Sequence, residues 1–234
     1  MNVVYKNSTA ALVIGIIAIS TGPAFAGPFD GLSNMIPGHG DSAPSGARSA
    51  GDLEGDLTEL NRHFAKAMKE MLIAQSYTIA ALGDQVEADK LSSEANSLEG
   101  TNDLNTVSRS ITVSEDASKE IDAKMAASGE MDAKSKQTLS MAVPHYEAGM
   151  IPAIRLPNDY RLWITSARAT VAGMGNSPMN AIGGGARLAR DLPNVVDVTA
   201  HLPDLISTWS DTSHNFVKFS HRNHVDTGDL SSKI

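Results

Sequence analysis

Three histidines near the C-terminus, His214, His221 and His224, are the first residues here whose type and spacing could do chemistry, because imidazole is a common metal ligand. Seven residues separate His214 from His221, about 10.5 Å along a helix at 1.5 Å per residue, too far to share one ion. His221 and His224 can converge, with Asp226 nearby. They form the candidate metal pair, short of the four ligands that a closed zinc site takes.

Other catalytic constellations are missing from the chain. There is no Gly-x-Ser-x-Gly elbow, no His-Glu-x-x-His and no cysteine to serve as nucleophile or thiolate ligand. Gly183-Gly184-Gly185-Ala186-Arg187 has the glycines of a phosphate loop but lacks its Lys-Ser or Lys-Thr and a preceding strand. A methionine and a histidine could ligate haem axially inside a bundle, yet Met68 and Met71 fall on a helical apolar stripe and read as core. No cofactor is therefore expected, and a metal-dependent enzyme is the least favoured function.

The stretch from Tyr146 to Arg168 has the composition of a recognition surface. Tyr146, Tyr160 and Trp163 stand among Pro144, Pro152 and Pro157, with Arg155, Arg161 and Arg168 interleaved. Aromatic and Arg side chains dominate binding hot spots, and irregular backbone on a rigid scaffold is where binding residues concentrate. These six are the candidate ligand-binding residues. The competing reading makes the aromatics core and pairs the arginines with acidic helices.

The elements that must position these residues are helices. Leu53, Leu57, Leu60, Phe64, Met68, Met71, Gln75, Ile79 and Leu82 advance by threes and fours, one continuous face interrupted only by Gln75. A single-striped rod of this length needs partner helices along it. Gly83-Asp84 kinks or ends it; Val86, Leu91, Ala95 and Leu98 continue a weaker pattern toward Gly100. A loop with Thr101, Asn102 and Asp103 then caps a helix with Leu104, Val107, Ile111, Ser114, Ser118, Ile121 and Met125 inward, and Asp132 opens another. Prolines 144, 152 and 157 predict repeated breaks between Val143 and Asn158. After them come a helix carrying Leu162, Trp163, Ala169 and Val171, the glycine triplet, and a last helix from about Pro203 with Leu205, Trp209, Thr212, Phe216 and Phe219 inward. The predicted fold is all-α: an elongated antiparallel helical bundle whose C-terminal half is interrupted by proline and glycine.

Composition limits compartment and partners. Lys6, the apolar run from Ala10 to Ile19, and Ala24-Phe25-Ala26 make a secretory signal, which predicts cleavage after residue 26 and a periplasmic or extracellular protein. Residues 27–50, rich in Gly, Pro and Ser, are expected to be a disordered leader, 51–225 the bundle and 226–234 a flexible tail. Between residues 51 and 135 seventeen carboxylates face eight Lys and Arg, whereas from 136 onward eight face nine. Nothing supplies the basic surplus of a nucleic-acid binder. The expected function is that of an exported, non-enzymatic bundle binding a partner protein or small ligand through its C-terminal half. The alternative is a membrane-active, pore-forming type of protein that inserts the apolar segment Val171 to Ile182; at twelve residues this is too short to span alone, so membrane association is not favoured.

Overall fold

The computed structural model describes residues 48–174 and 184–233. Among them all regular structure is helical: α1 (Ala50–Ala81), α2 (Gln85–Ser97), α3 (Leu104–Ala127), α4 (Ala133–Ala153), α5 (Leu156–Met174), α6 (Gly184–Arg222) and the single turn α7 (Leu230–Lys233). The first six pack together, α1 touching each of the other five. The predicted signal segment, most of the leader, and residues 175–183 of the glycine-rich stretch lie outside the described residues.

The first four helices start where side-chain oxygens satisfy the free N–H groups of a first turn. Ser49 caps α1 through Asp52 N, Asp84 caps α2, Asp103 caps α3 and Asp132 caps α4. The rod ends at Gly83, whose φ of 92° is one that L side chains rarely adopt, and the chain turns into α2. Leu53, Leu57, Phe64, Met68, Met71, Gln75 and Ile79 of the predicted face are buried, as are all seven predicted inward positions of α3. Val86 is not: α2 turns Ala88, Leu91, Ala95 and Leu98 inward and leaves Val86 70% exposed.

Cross-helix bonds give the sense of each pairing. Lys69 pairs with Glu99 and Ser76 Oγ donates to Ala88 O, so α2 runs back along α1. Asn61 reaches Asn102, Gln75 reaches Ser114 and Asp84 reaches Lys124, so α3 runs parallel to α1. Thr78 meets Tyr146, Asn61 meets Tyr160 and Leu53 meets Trp163, so α4 and α5 together descend along α1. Ser114 with Trp209, Asp122 with Asn215 and Met125 with Arg222 make α6 parallel to α3.

Gln75, the polar residue in the apolar stripe, joins three of these helices. Its Nε2 donates to Ser114 O and Ser118 Oγ, both at 2.9 Å, and its Oε1 accepts from Ser114 Oγ at 3.0 Å. Ser114 Oγ in turn accepts from Trp209 Nε1 at 2.8 Å. Every side-chain donor and acceptor atom in this buried set has a partner, the condition under which a polar core network stabilises a fold.

The prolines do not break the helices where the sequence predicts. Pro144 and Pro152 lie inside α4, Pro193 and Pro203 inside α6, and the only break in the 143–158 stretch is the turn at Ile154-Arg155. A helix-interior proline frees the carbonyl four residues earlier and costs about 3 kcal/mol when that group stays unpaired. Here Pro144, Pro193 and Pro203 are exposed, Pro152 is half-buried, and the residues whose carbonyls are freed, Ser140, Ala148, Ala189 and Thr199, are exposed except for half-buried Thr199. Water can take the missing bond on that side, so the helices continue. The helix predicted from about Pro203, α6, accordingly starts at Gly184, well before that proline.

Candidate functional site

The predicted recognition stretch spans the end of α4, the turn at Ile154-Arg155 and most of α5. It divides into an inner and an outer set. Tyr146 is fully buried, its ring centroid 4.6 Å from that of Phe216. Thr78 Oγ1 donates to Ala74 O, so the Tyr146 hydroxyl is the donor in their 3.4 Å contact. Burial pushes that hydroxyl far above the ordinary phenol range. Tyr160, also fully buried, sits edge-on to Phe64 and donates to Asn61 Oδ1 at 2.9 Å; burial raises it similarly. Trp163 Nε1 donates to Leu53 O at 2.8 Å. The three aromatics thus hold α4 and α5 onto α1, and their polar atoms are already engaged.

The three arginines face the other way. Arg155, Arg161 and Arg168 are exposed, and among the described residues none forms an ion pair. Arg161 donates to Asn158 Oδ1 one turn earlier at 2.9 Å. At 100° per residue, Asn158, Arg161, Leu162, Thr165, Arg168, Ala169 and Ala172 occupy an arc of about 120° on α5. Leu162 and Ala169, two of the apolar residues named for this helix from the sequence, lie on this outer arc. The buried stripe is Tyr160, Trp163, Ile164, Ala167 and Thr170, because the indole and phenol reach α1 only from that face.

Three large apolar side chains accompany the arginines. Ile151, Ile154 and Leu162 are 41%, 51% and 59% exposed, half of the six large hydrophobics exposed among the described residues. From Ala148 to Gly173 the exposed side chains include three cations and no carboxylate. Asp159, the only carboxylate in that span, is half-buried; burial pushes its carboxyl up, with Arg155 and His63 opposing the shift. From sequence the aromatics stand at the centre of this surface, and no local pattern singles out Ile151 and Ile154.

The histidine pair remains incomplete. His221 Nε2 lies 3.1 Å from Thr227 Oγ1, and exposed His224 has a φ of 59° in the turn after α6. Among the described residues no three His, Cys, Asp or Glu side chains come together to hold a metal ion. His214 Nδ1 donates to Ser210 O on its own helix. A histidine that the sequence reading passed over is better placed. His145 Nδ1 is 2.6 Å from Glu70 Oε2, and the ring stacks on Tyr77 with centroids 5.6 Å apart.

Among the described residues, two clefts stand out. One, of about 230 Å³, lies between α3 and α6 beside Asp122 and Arg222. The other, of about 300 Å³, is lined by polar side chains of α1, α3 and α6, including Glu54, Arg187, Asp191 and Asn194. Residues more than a hundred positions apart line the second cleft, and no local pattern announces them. Neither cleft contains a residue of the Tyr146–Arg168 stretch.

Comparison with protein-family models, with curated proteins and with solved structures finds no match to this chain. No helix of the described residues is long and apolar enough to cross a membrane. Of the apolar segment Val171 to Ile182, only its first four residues are described, as the end of α5.

Proposed function

We propose that the chain is an exported, non-enzymatic binding protein, an elongated bundle of mostly antiparallel helices, and that it docks an anionic partner on the outer face of α4 and α5. One observation supports this reading: in a protein of net charge −8, the exposed side chains between Ala148 and Gly173 are three arginines, three large aliphatics and small or neutral residues. Exposed arginines without carboxylate partners beside exposed Ile and Leu have no evident folding role. Desolvated Arg and apolar anchors are what a binding face requires. The surface comprises Ile151, Ile154, Arg155, Arg161, Leu162 and Arg168, while Tyr146, Tyr160 and Trp163 set its backbone.

The test is calorimetric titration of the full chain with poly-L-glutamate, a probe carrying only the charge complement. Binding that weakens with added salt and is lost in the R155Q/R161Q/R168Q variant is the expected result. Because all three arginines are exposed, that variant should melt at the wild-type temperature. Equal binding by wild type and variant sinks the proposal.

A further inference from the structure

The outer face of α4 and α5 has the chemistry of a bilayer-binding surface, and we infer that its partner is an anionic lipid surface, an inference that rests on the binding face proposed above. Geometry argues for a flat partner. The face is the outer side of consecutive helices, and neither of the two clefts described above is lined by its residues. Protein interfaces rely on Trp, Tyr and Arg at their centres, with Leu under-represented. Here Tyr146, Tyr160 and Trp163 are turned inward, and the outward apolar groups are Ile151, Ile154 and Leu162. Aliphatic side chains beside long cationic ones suit a helix lying in the membrane plane: the aliphatics enter the acyl boundary while guanidinium groups stay among the phosphates.

Electrostatics sets the orientation. The carboxylate surplus is carried by residues 51–135, in α1, α2, α3 and the connections between them and α4, whereas the exposed side chains of 148–173 carry no negative charge. The Debye length at physiological ionic strength is about 8 Å, so only charges held close to the bilayer act on it strongly. A pose that brings the arginines of this face against the headgroups is therefore the one that electrostatics favours. No described helix is long and apolar enough to cross a membrane, and the pose inferred is one on the surface with the bilayer left intact.

The experiment is co-sedimentation of the full chain with phosphatidylcholine vesicles prepared with and without phosphatidylglycerol, alongside release of an entrapped dye. The chain is expected to partition onto the anionic vesicles only, to release with salt and to leave the dye inside. Each Arg contributes about fivefold to partitioning, so R155Q/R161Q/R168Q should lower it by about a hundredfold. I154S/L162S should lower it several-fold at unchanged melting temperature, and K119Q, on an exposed α3 site, should not. Absence of binding, equal binding to neutral vesicles, an Arg variant that binds like wild type, or dye release would each overturn the lipid inference. If poly-L-glutamate binds in an Arg-dependent way while vesicles do not, the binding face stands and only its lipid partner falls; if neither binds, both fall.

Discussion

The Tyr160 hydroxyl donates to Asn61 Oδ1 at 2.9 Å, and the Asn61 amide passes the connection on by donating to Asn102 O at 3.1 Å, so one asparagine ties α5 to α1 and to the loop before α3. Both side chains are buried. Tyr160→Phe keeps the ring against Phe64 but leaves Asn61 Oδ1 without its donor, which should cost about 1 to 3 kcal/mol in denaturant unfolding. Trp163→Ala removes both the indole bond to Leu53 O and a large buried volume, and should cost about 3 to 5 kcal/mol. A Trp163→Ala protein of wild-type stability but reduced binding would place the indole on the recognition surface instead.

At Gly149, α4 packs closely on α1. A Cβ there would stand 2.7 Å from Met71 Cγ and 3.1 Å from the carbonyl oxygen of Ala67. Met71 can swing aside, but the backbone carbonyl can move only with its helix. Gly149→Ala should therefore lose about 1 to 3 kcal/mol to overpacking despite the better helix propensity of alanine. Gly55, also helical but with nothing within 4 Å of an added Cβ, should gain about 0.5 to 1 kcal/mol on the same change. Opposite signs in thermal melts are the expected result; a gain at both would mean that α1 and α4 are not in this contact.

Removing the Gln75 side chain tests the buried network. Gln75→Ala takes the acceptor from the Ser114 hydroxyl and the donor from the Ser118 hydroxyl, for an expected cost of about 2 to 5 kcal/mol in amide bonds and volume. Combined with Ser114→Ala the two losses should be clearly less than additive, because one change removes the partners that the other would orphan. Strict additivity would show that the amide and hydroxyl act separately.

The helix caps make stability depend on acidity. Backbone N–H donors hold the Asp84 and Asp132 carboxyls below the ordinary value of 3.8, with Lys124 also acting on Asp84; the Thr106 hydroxyl is the main cause at Asp103. For carboxylates depressed in the folded state, the stabilisation is complete above the unfolded value and is lost as pH falls through the folded one. Melting temperature should therefore drop as pH falls from about 4 toward 2, and D84N/D103N/D132N should drop less, since asparagine caps without ionising. Parallel decline of the two proteins would place the acid-sensitive groups elsewhere.

Long periodic seams were legible in the sequence, and short or proline-bearing ones were not. Seven positions of α3 and most of α1 follow from spacing alone, because many residues vote for one face. In α5 a single large residue decides the rotation: the Leu162-Trp163 pair admits two orientations, and only the indole's bond to Leu53 O, 110 residues away, selects one. Prolines mislead for a related reason. Whether Pro144 or Pro203 ends a helix depends on whether the freed carbonyl meets water or protein, which is a property of the assembled surface. At the candidate site the arginines were identified from sequence by type, whereas Ile151 and Ile154 became noteworthy only once the inward face was known.

The parallel placement of α3 and α6 has a kinetic consequence. Trp209 reaches Ser114 over 95 residues and Arg222 reaches Met125 over 97, while α1, α2 and α3 can meet through short turns. Contacts of such separation incur a larger loop-closure entropy and form late. A chain emerging N-terminus first can close Gln75 onto Ser114 at once, yet must hold that three-helix intermediate with the indole's seat open until α6 arrives. A chain truncated before residue 209, which keeps α4, α5 and the first part of α6, should therefore leave uncovered the flank of α3 that Trp209 and Arg222 close.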